Sequence, residues 1–244
     1  MTAHDMKLMG LKGREVIARD TVAFTFDRPA GFMFKPGQAV DVTLIDPPQT
    51  DAKGARRAFS IVSAPYENDL VVATRMRDSA FKRILGTMPI GGRVQVEGPF
   101  GSLTLHGSRW RPAVFIAGGI GITPFISMLR QVAHDELPRS ITLLYSNRRP
   151  EDAAFLEELH QFERANRGWF KLLATMTDPE GTGQPWAGRS GLIGPELVRS
   201  VIVRPSAPVF YVVGPPAMVA GMRQTLSRMG IDDDDIRSED FSGY

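Results

Sequence analysis

Residues 113–124 limit the folds open to this chain more than any other segment. The first five of these residues form a continuous apolar run, which is typical of a strand buried on both faces. The glycines at 118, 119 and 121 predict a tight turn, and Thr123 and Pro124 predict the N-cap and first turn of a helix. A buried strand that leads through a turn into a helix indicates an α/β domain with a parallel sheet.

The rest of the second half repeats this alternation. Apolar strands are predicted at 141–145, 170–175 and 209–213, and helices at 124–134, 150–164, 195–201 and 217–229. Strands that alternate with helices predict a doubly wound parallel sheet covered on both faces.

Before about residue 107 the pattern is different. Short segments rich in valine, phenylalanine and threonine recur between turn residues, at 15–17, 21–26, 39–44, 58–63, 70–75 and 93–97. Such segments predict a β-barrel or sandwich. One helix is predicted among them at 79–85, with Ser79 as its N-cap. We therefore expect a β domain over residues 1–107 and an α/β domain over residues 108–244.

The composition limits the chemistry available. The 244 residues include no cysteine, and the four histidines lie far apart, so we expect no disulfide and no protein-bound metal. Redox chemistry would then need an organic cofactor. The formal net charge of +2 does not favour nucleic-acid or membrane binding. Because the N-terminus lacks a signal-peptide pattern and the uncharged stretch 112–129 is best explained as strand, turn and helix, we expect a soluble, cytoplasmic protein without membrane insertion.

Two motifs have the chemistry to hold phosphate groups. At 118–121, backbone N–H groups at the positive end of a helix would meet an anion, although a tight connection that binds nothing is the alternative. On the predicted strand, Arg57 and Phe59 share one face, so a cation that holds phosphate would lie beside a flat ring. The alternative for this second motif is an ordinary strand with one exposed arginine.

Four motifs occur in order along the chain, at 57–60, 98–101, 118–124 and 213–218. In this order they resemble the ferredoxin–NADP reductase superfamily. The resemblance implies a Greek-key antiparallel β-barrel that binds FAD over residues 1–107. A doubly wound α/β domain for NAD(P)H would follow over residues 108–244, with a C-terminal tail that returns to the flavin.

The resemblance also implies residues that bind FAD. Arg57 would hold the pyrophosphate, Phe59 would lie against the isoalloxazine, and Ser60 would reach the flavin N5 edge, with Ala58 between them on the strand. Ser79 would meet the pyrophosphate at a helix start. Tyr244 would cover the flavin face opposite Phe59 and move aside for each hydride transfer, which makes Ser60 and Tyr244 the expected catalytic residues.

Nucleotide binding would fall to the two glycine turns. The expected residues in and beside these turns are Gly118, Gly119, Gly121, Thr123, Gly214 and Pro215. Val213 stands where the superfamily usually has a cysteine, so no thiol is expected at the hydride-transfer site. Arg148 or Arg149 would receive a 2′-phosphate, whereas Glu151 or Asp152 would repel it or bind a ribose hydroxyl; the alternative is that all four are solvated. A Ser-Arg pair common in strict NADP enzymes is missing from the third strand, so we expect a slight preference for NADH.

The implied activity is reduction of FAD by NAD(P)H, with electrons passed to a separate acceptor such as ferredoxin, flavodoxin or an oxygenase component. Two alternatives stay open. One is an NAD(P)H-dependent reductase of free flavin, ferric complexes or quinones, and the other is a non-enzymatic FAD-containing electron-transfer or regulatory subunit. The intact glycine turns favour an enzyme over a non-enzymatic subunit.

Overall fold

A computed structural model describes residues 6–136, 139–179, 185–202 and 207–241. The chain divides into two compact units. The first comprises Met1–Leu105 and Thr123–His134, and the second comprises His106–Ile122 and Asp135–Tyr244. The segment 123–134 therefore groups with the first half of the chain.

The first unit contains an antiparallel sheet of six strands. They are β1 (Lys7–Ala18), β2 (Thr21–Asp27), β3 (Ala39–Leu44), β4 (Arg56–Ser60), β5 (Asp69–Arg75) and β6 (Arg93–Phe100). Their order is β4-β3-β6-β1-β2-β5. A bridge between Ile61 and Val72 joins the two outer strands, so the sheet closes. The predicted antiparallel barrel is confirmed, and the sandwich is not found.

Alternation along the strands fills the barrel. In β3, Val40, Val42 and Leu44 are buried while the residues between them are partly exposed, as expected for a strand with one face on the core. Helix α1 (Ala80–Thr87) adds Phe81 and Leu85 to the same core. Ser79 precedes it in extended conformation, and its side chain accepts a hydrogen bond from the Lys82 N–H. The predicted N-cap is therefore confirmed.

The second unit contains a parallel sheet of six strands. They are β7 (Ala113–Gly118), β8 (Ile141–Asn147), β9 (Phe170–Met176), β10 (Arg189–Ser190), β11 (Val209–Gly214) and β12 (Ile236–Asp240). Their order is β10-β9-β8-β7-β11-β12, and every pairing is parallel. The chain moves outward on one side of β7 and then returns to its other side, as the predicted doubly wound topology requires.

Four further helices complete the described elements: α2 (Thr123–His134), α3 (Leu156–Ala165), α4 (Pro195–Val201) and α5 (Pro216–Arg228). In the second unit, α4 and α5 pack on one sheet face through residues that include Val198, Val219 and Leu226. On the other face, the ring of Phe162 in α3 lies 5.1 Å from that of Phe170. Within the described ranges, no helix is long and apolar enough to cross a membrane.

Two local predictions need correction. The helix predicted over 150–164 is divided into a 3-10 turn at Pro150–Asp152 and α3, because Phe155 between them is left-handed with φ of 60°. At the glycine turn, a 3-10 turn over Gly119–Ile122 leads directly into α2. Thr123 is therefore the first residue of α2 rather than a cap that precedes it.

Candidate functional site

Strand β4 places the first predicted motif on the barrel wall. Arg57 and Phe59 pair with Val42 and Val40 of β3, so both lie on the face that points to the core. Phe59 is only 8% exposed, and its ring lies 5.9 Å from that of Phe81. The intervening Ala58 is exposed. The ring predicted to meet a flavin thus packs in the barrel core against a second aromatic ring.

Ser60, the last residue of β4, is 5% exposed. Its Oγ is buried and has no hydrogen-bond partner in the described part of the chain. A buried hydroxyl without a partner costs free energy, and such groups in native structures are often completed by a ligand or water. The Ser60 hydroxyl therefore has the unused donor and acceptor capacity that a bound cofactor would need.

The guanidinium of Arg57 lies at the N-terminus of α1. Its Nη2 is 2.6 Å from Asp51 Oδ1, and its Nη1 donates to the carbonyls of Lys53, Gly54 and Arg56. The guanidinium carbon lies 5.2 Å from the centre of the Phe81 ring. The hydrogen bond from Arg57 holds the pKa of Asp51 below its ordinary value. The predicted phosphate-binding arginine is thus held by backbone carbonyls of the residues just before it, and it forms an ion pair with a carboxylate.

Lys82, in the first turn of α1, lies among like charges. Burial, followed by the charges of Arg77, Arg57, Lys53 and Arg75, lowers the pKa of Lys82 to about 8. Its Nζ donates to the Arg75 carbonyl at 2.7 Å. Cations at a helix N-terminus are unfavourable, whereas an anion is stabilised there. We call Lys53, Arg57, Arg75, Arg77 and Lys82 the cation cluster; its charge and position fit a pyrophosphate.

In the second unit, the two glycine turns pack against each other at the carboxyl ends of neighbouring strands. A Cβ on Gly118 would overlap the Met218 sulfur, and a Cβ on Gly121 would overlap the Val213 carbonyl. A Cβ on Gly214 would lie 3.2 Å from the Gly118 backbone. A side chain at Gly121 would therefore force the turns apart, whereas one at Gly118 would displace the Met218 side chain and one at Gly214 would crowd the neighbouring turn.

Gly119 and Pro215 shape the same two turns. Gly119 has φ of 54°, a left-handed conformation that favours glycine. Pro215 precedes α5 with φ of −58°, and Thr123 is 2% exposed at the start of α2. The turns after β7 and β11 lie where the strand order reverses, which is the usual ligand position in a doubly wound sheet. Because glycines leave the backbone at this position without side chains, a nucleotide pyrophosphate could approach it closely.

Arg148 and Arg149 follow β8 and share one carboxylate. Arg148 Nε lies 3.3 Å and Arg149 Nη2 lies 3.1 Å from Asp178 Oδ2. The hydrogen bond from Arg149 lowers the pKa of Asp178. Asp152 is 6% exposed, so the alternative that all four charged residues are solvated is wrong. A cleft of about 490 Å³ opens nearby at the carboxyl ends of β9 and β10, with Thr175, Arg189 and Leu192 among its lining.

Tyr244 lies outside the described residues. The last described residue is Phe241, whose N–H donates to the Gly214 carbonyl at 3.0 Å. Strand β12 therefore leads the chain directly to the second glycine turn. The predicted role of Tyr244 at the flavin stays a prediction.

Sequence reasoning missed two residues of the first-unit site, Asp51 and Lys82. The signal for Lys82 was present: four basic residues lie within 75–83 around a capped helix start. Asp51 gave no such signal, because it reaches Arg57 through the irregular segment between β3 and β4. Within the described ranges, no group of three His, Asp or Glu is placed to hold a metal ion.

Comparisons with known proteins agree with this architecture. Residues 115–224 match the oxidoreductase NAD-binding domain family. The chain is 27% identical over 226 residues to the glycine betaine monooxygenase reductase subunit of Chromohalobacter salexigens, covering 91% of this chain and 60% of that protein. It is 26% identical to the NADH-cytochrome b5 reductase 1 of Aspergillus oryzae, covering 90% of this chain and 77% of that protein. The chain thus spans less than two thirds of the length of the first relative and more than two thirds of the length of the second.

Solved structures share the whole fold. The ferredoxin NADP+ reductase of Neisseria gonorrhoeae with bound FAD and NADP superposes with a TM-score of 0.79 at 24% identity, covering 96% of this chain and 98% of that one. The FAD/NAD-binding domain of the Vibrio cholerae nitric oxide dioxygenase gives 0.81 at 19% identity, with the same coverage. The barrel, the parallel sheet and the NAD-binding match together give this chain the fold of FAD- and NAD-binding oxidoreductases. Residues 115–224 thus belong to the oxidoreductase NAD-binding domain family, and the chain as a whole shares its fold with ferredoxin NADP+ reductase.

Proposed function

We propose that this chain takes a hydride from NAD(P)H and passes electrons to a separate protein acceptor, for which an oxygenase component is the first candidate. The glycine betaine monooxygenase relative and the propane 2-monooxygenase relative of Mycolicibacterium smegmatis are reductase components of oxygenases. FAD, when bound, accepts the hydride and returns electrons one at a time.

The observation that carries the proposal is that each unit has its own phosphate-type site. The first unit has the cation cluster at the start of α1, and the second has the two glycine turns at the switch point. FAD and NAD(P)H each contain a pyrophosphate. Two dinucleotides therefore account for both sites, whereas a carrier of FAD alone leaves the second one unexplained.

The residues of the chain divide the work of binding. Arg57 and Lys82 hold the flavin pyrophosphate with Ser79 at the helix start, Phe59 supports the ring, and the Ser60 hydroxyl meets its N5 edge. Residues 1–107 serve the flavin and residues 108–244 serve the nucleotide. The nucleotide is held by the turns, whose residues are Gly118, Gly119, Gly121, Thr123, Gly214 and Pro215. Tyr244 covers the open flavin face and yields it to the nicotinamide.

An anaerobic titration tests the function. The purified full chain, loaded with FAD, is mixed with NADH or NADPH while its flavin absorption is recorded. The oxidised flavin bands should bleach at one equivalent of nucleotide and return when a one-electron acceptor such as ferricyanide is added. A chain with no FAD affinity, or one whose flavin is not reduced by either nucleotide, would contradict the proposal.

We also propose that NADH is the preferred donor and that Asp178 contributes to this preference. Arg148 and Arg149, the side chains that could receive a 2′-phosphate, are both bonded to Asp178, and its negative charge opposes the binding of a second anion. Asp178→Asn should therefore raise kcat/KM for NADPH by about five- to tenfold, the effect of one nearby charge in a hydrated site, while NADH changes little. An unchanged NADPH/NADH ratio in stopped-flow flavin reduction would remove Asp178 from the specificity.

A further inference from the structure

Asp51 lies where an anion bound to the first unit would lie. Its Oδ1 is 2.6 Å from Arg57 Nη2 and accepts the Lys53 N–H at 2.9 Å. The backbone N–H of Phe81, in the first turn of α1, also contributes to the lowered pKa of Asp51. Oδ1 of this carboxylate is therefore bound by an arginine and a loop amide beside the start of a helix, whereas its buried Oδ2 has no hydrogen-bond partner in the described part of the chain. Arginine, loop amides and helix N-termini are also what binds phosphate in proteins.

The surrounding charge explains why a carboxylate is stable at this position. The charges that shift Lys82 are all positive, and they come from Arg77, Arg57, Lys53 and Arg75. Another nearby carboxylate, Asp78, is bonded to Arg83. With only one negative charge bonded to Arg57, the cation cluster keeps a positive excess. A dianion would match that excess better than a single carboxylate.

We propose that Asp51 is an internal counter-ion that occupies the pyrophosphate site and opposes the binding of FAD. This inference rests on the proposed function, since it assigns Arg57 to the flavin pyrophosphate. Three backbone carbonyls already engage Arg57 Nη1, so Nη2 is the nitrogen that Asp51 and a phosphate oxygen share. FAD must displace the carboxylate or bind against its charge, and either event reduces affinity.

The opposite role for Asp51 makes the opposite prediction. If its carboxylate only positions Arg57 for the cofactor, loss of the charge loosens Arg57 and weakens FAD binding. Asp51→Asn separates the two roles, because the amide keeps the shape and one acceptor oxygen for Arg57 while it removes the negative charge.

The test measures flavin binding to the flavin-free full chain by fluorescence quenching. Asp41→Asn is the matched control: Asp41 Oδ2 lies 2.6 Å from Nη2 of the neighbouring Arg56, so the change in charge is equal and the location differs. We expect Asp51→Asn to lower the Kd of FAD by about five- to tenfold. Riboflavin, which lacks phosphate, should bind both variants and the parent equally.

The inference would be overturned by an unchanged Kd of FAD in Asp51→Asn, by a raised Kd, or by equal tightening of riboflavin. Equal tightening by Asp41→Asn would also overturn it, because the effect would then follow net charge alone. Failure of the proposed function would give a different result from failure of this inference, because FAD would then bind neither the parent nor either variant. Melting temperatures of the flavin-free proteins establish that all three are folded.

Discussion

The guanidinium of Arg57 makes two kinds of contact. Its Nη1 donates to the carbonyls of Lys53 and Gly54 before β4 and of Arg56 in β4, whereas its Nη2 donates to Asp51. The neighbouring Arg56 is more exposed and bonds to Asp41 and Glu97 instead. Two adjacent arginines on one strand therefore have different electrostatic surroundings, and the alternation of the strand decides which one can meet a cofactor.

Arg57→Ala should weaken FAD binding by about ten- to hundredfold, since a hydrogen bond to a charged group contributes roughly 1.5–3 kcal/mol. The dissociation constant is measured by flavin fluorescence on protein whose circular dichroism is unchanged. Arg56→Ala is the control and should retain FAD. Equal loss of FAD in both variants would mean that general charge, not Arg57, holds the cofactor.

Lys82 should make FAD affinity depend on pH. Because the pKa of Lys82 is lowered to about 8 in the flavin-free protein, its ammonium is present below that pH and is lost as the pH rises through it. The affinity for the pyrophosphate should thus fall above about pH 8. Lys82→Met should bind FAD more weakly at pH 7 and show a flatter profile up to pH 9.5. Lys12→Met, which alters an ion pair with Asp69 elsewhere in the barrel, should keep the parental profile.

At the scale of elements, prediction succeeded where the pattern was regular. The bounds of β3 and α4 match their predicted ranges, because alternation in one and a proline start in the other leave little freedom. Strand β12 was missed because Ile236 is its only buried residue, which leaves no apolar pattern to detect. Its pairing with β11 holds it in the sheet instead. The N-terminal half of β1 was missed because Gly10 and Gly13 interrupt its pattern. Pairing across distant segments is not visible in local periodicity.

The same limit applies to the candidate site. The residues of β4 lie on a regular strand and the glycine turns directly follow regular strands, so the order of the motifs indicated them. The approach of Gly121 to the Val213 carbonyl depends on two strands that are distant in sequence but adjacent in the sheet. Asp51 reaches Arg57 through an irregular segment, and no sequence period describes such a path.

The turn after β7 should be essential for the nucleotide and not for the flavin. Gly119→Val puts a branched side chain at φ of 54°, which is strained and narrows the approach to the turn. We expect at least about tenfold slower flavin reduction by NADH, with FAD binding unchanged. Gly230→Val adds comparable strain at φ of 79° after α5 and serves as the control. Normal reduction rates in Gly119→Val would mean that the turn is only a connection.

At the scale of the whole molecule, His106 holds the start of the second unit to its sheet. Its Nδ1 and its backbone N–H both lie 2.8 Å from the Tyr211 hydroxyl, and its Nε2 lies 3.0 Å from the Arg111 carbonyl. A carbonyl only accepts, so Nε2 carries the proton and Nδ1 accepts from Tyr211. Burial, followed by the nearby Arg139, Arg111 and Arg237, lowers the pKa of His106. The folded protein therefore favours the neutral ring.

His106 should contribute to acid unfolding. Because folding lowers the pKa of His106, the neutral ring contributes to the free energy of unfolding. This contribution is complete above the ordinary histidine pKa of about 6.5 and is lost as the pH falls towards the pKa of the folded state. Urea denaturation at pH 7.5 and pH 5.5 should show a smaller pH-dependent loss in His106→Gln than in the parent. His160→Gln, on α3, should behave like the parent. If all three lose the same free energy of unfolding, His106 is not the titrating group.

The bond from Phe241 to Gly214 has a practical consequence for protein production. Only two residues separate Phe241 from Tyr244, and the three steps from Phe241 to Tyr244 span at most about 11 Å when extended. A purification tag fused after Tyr244 would therefore begin within about that distance of the second glycine turn, where, under the proposed function, a polyhistidine sequence would compete with the coenzyme. A tag placed before the N-terminal end of this chain would instead precede β1, the barrel strand that pairs with β2 and β6. Kinetic constants for the proposed activity should accordingly be measured on protein with no tag fused after Tyr244.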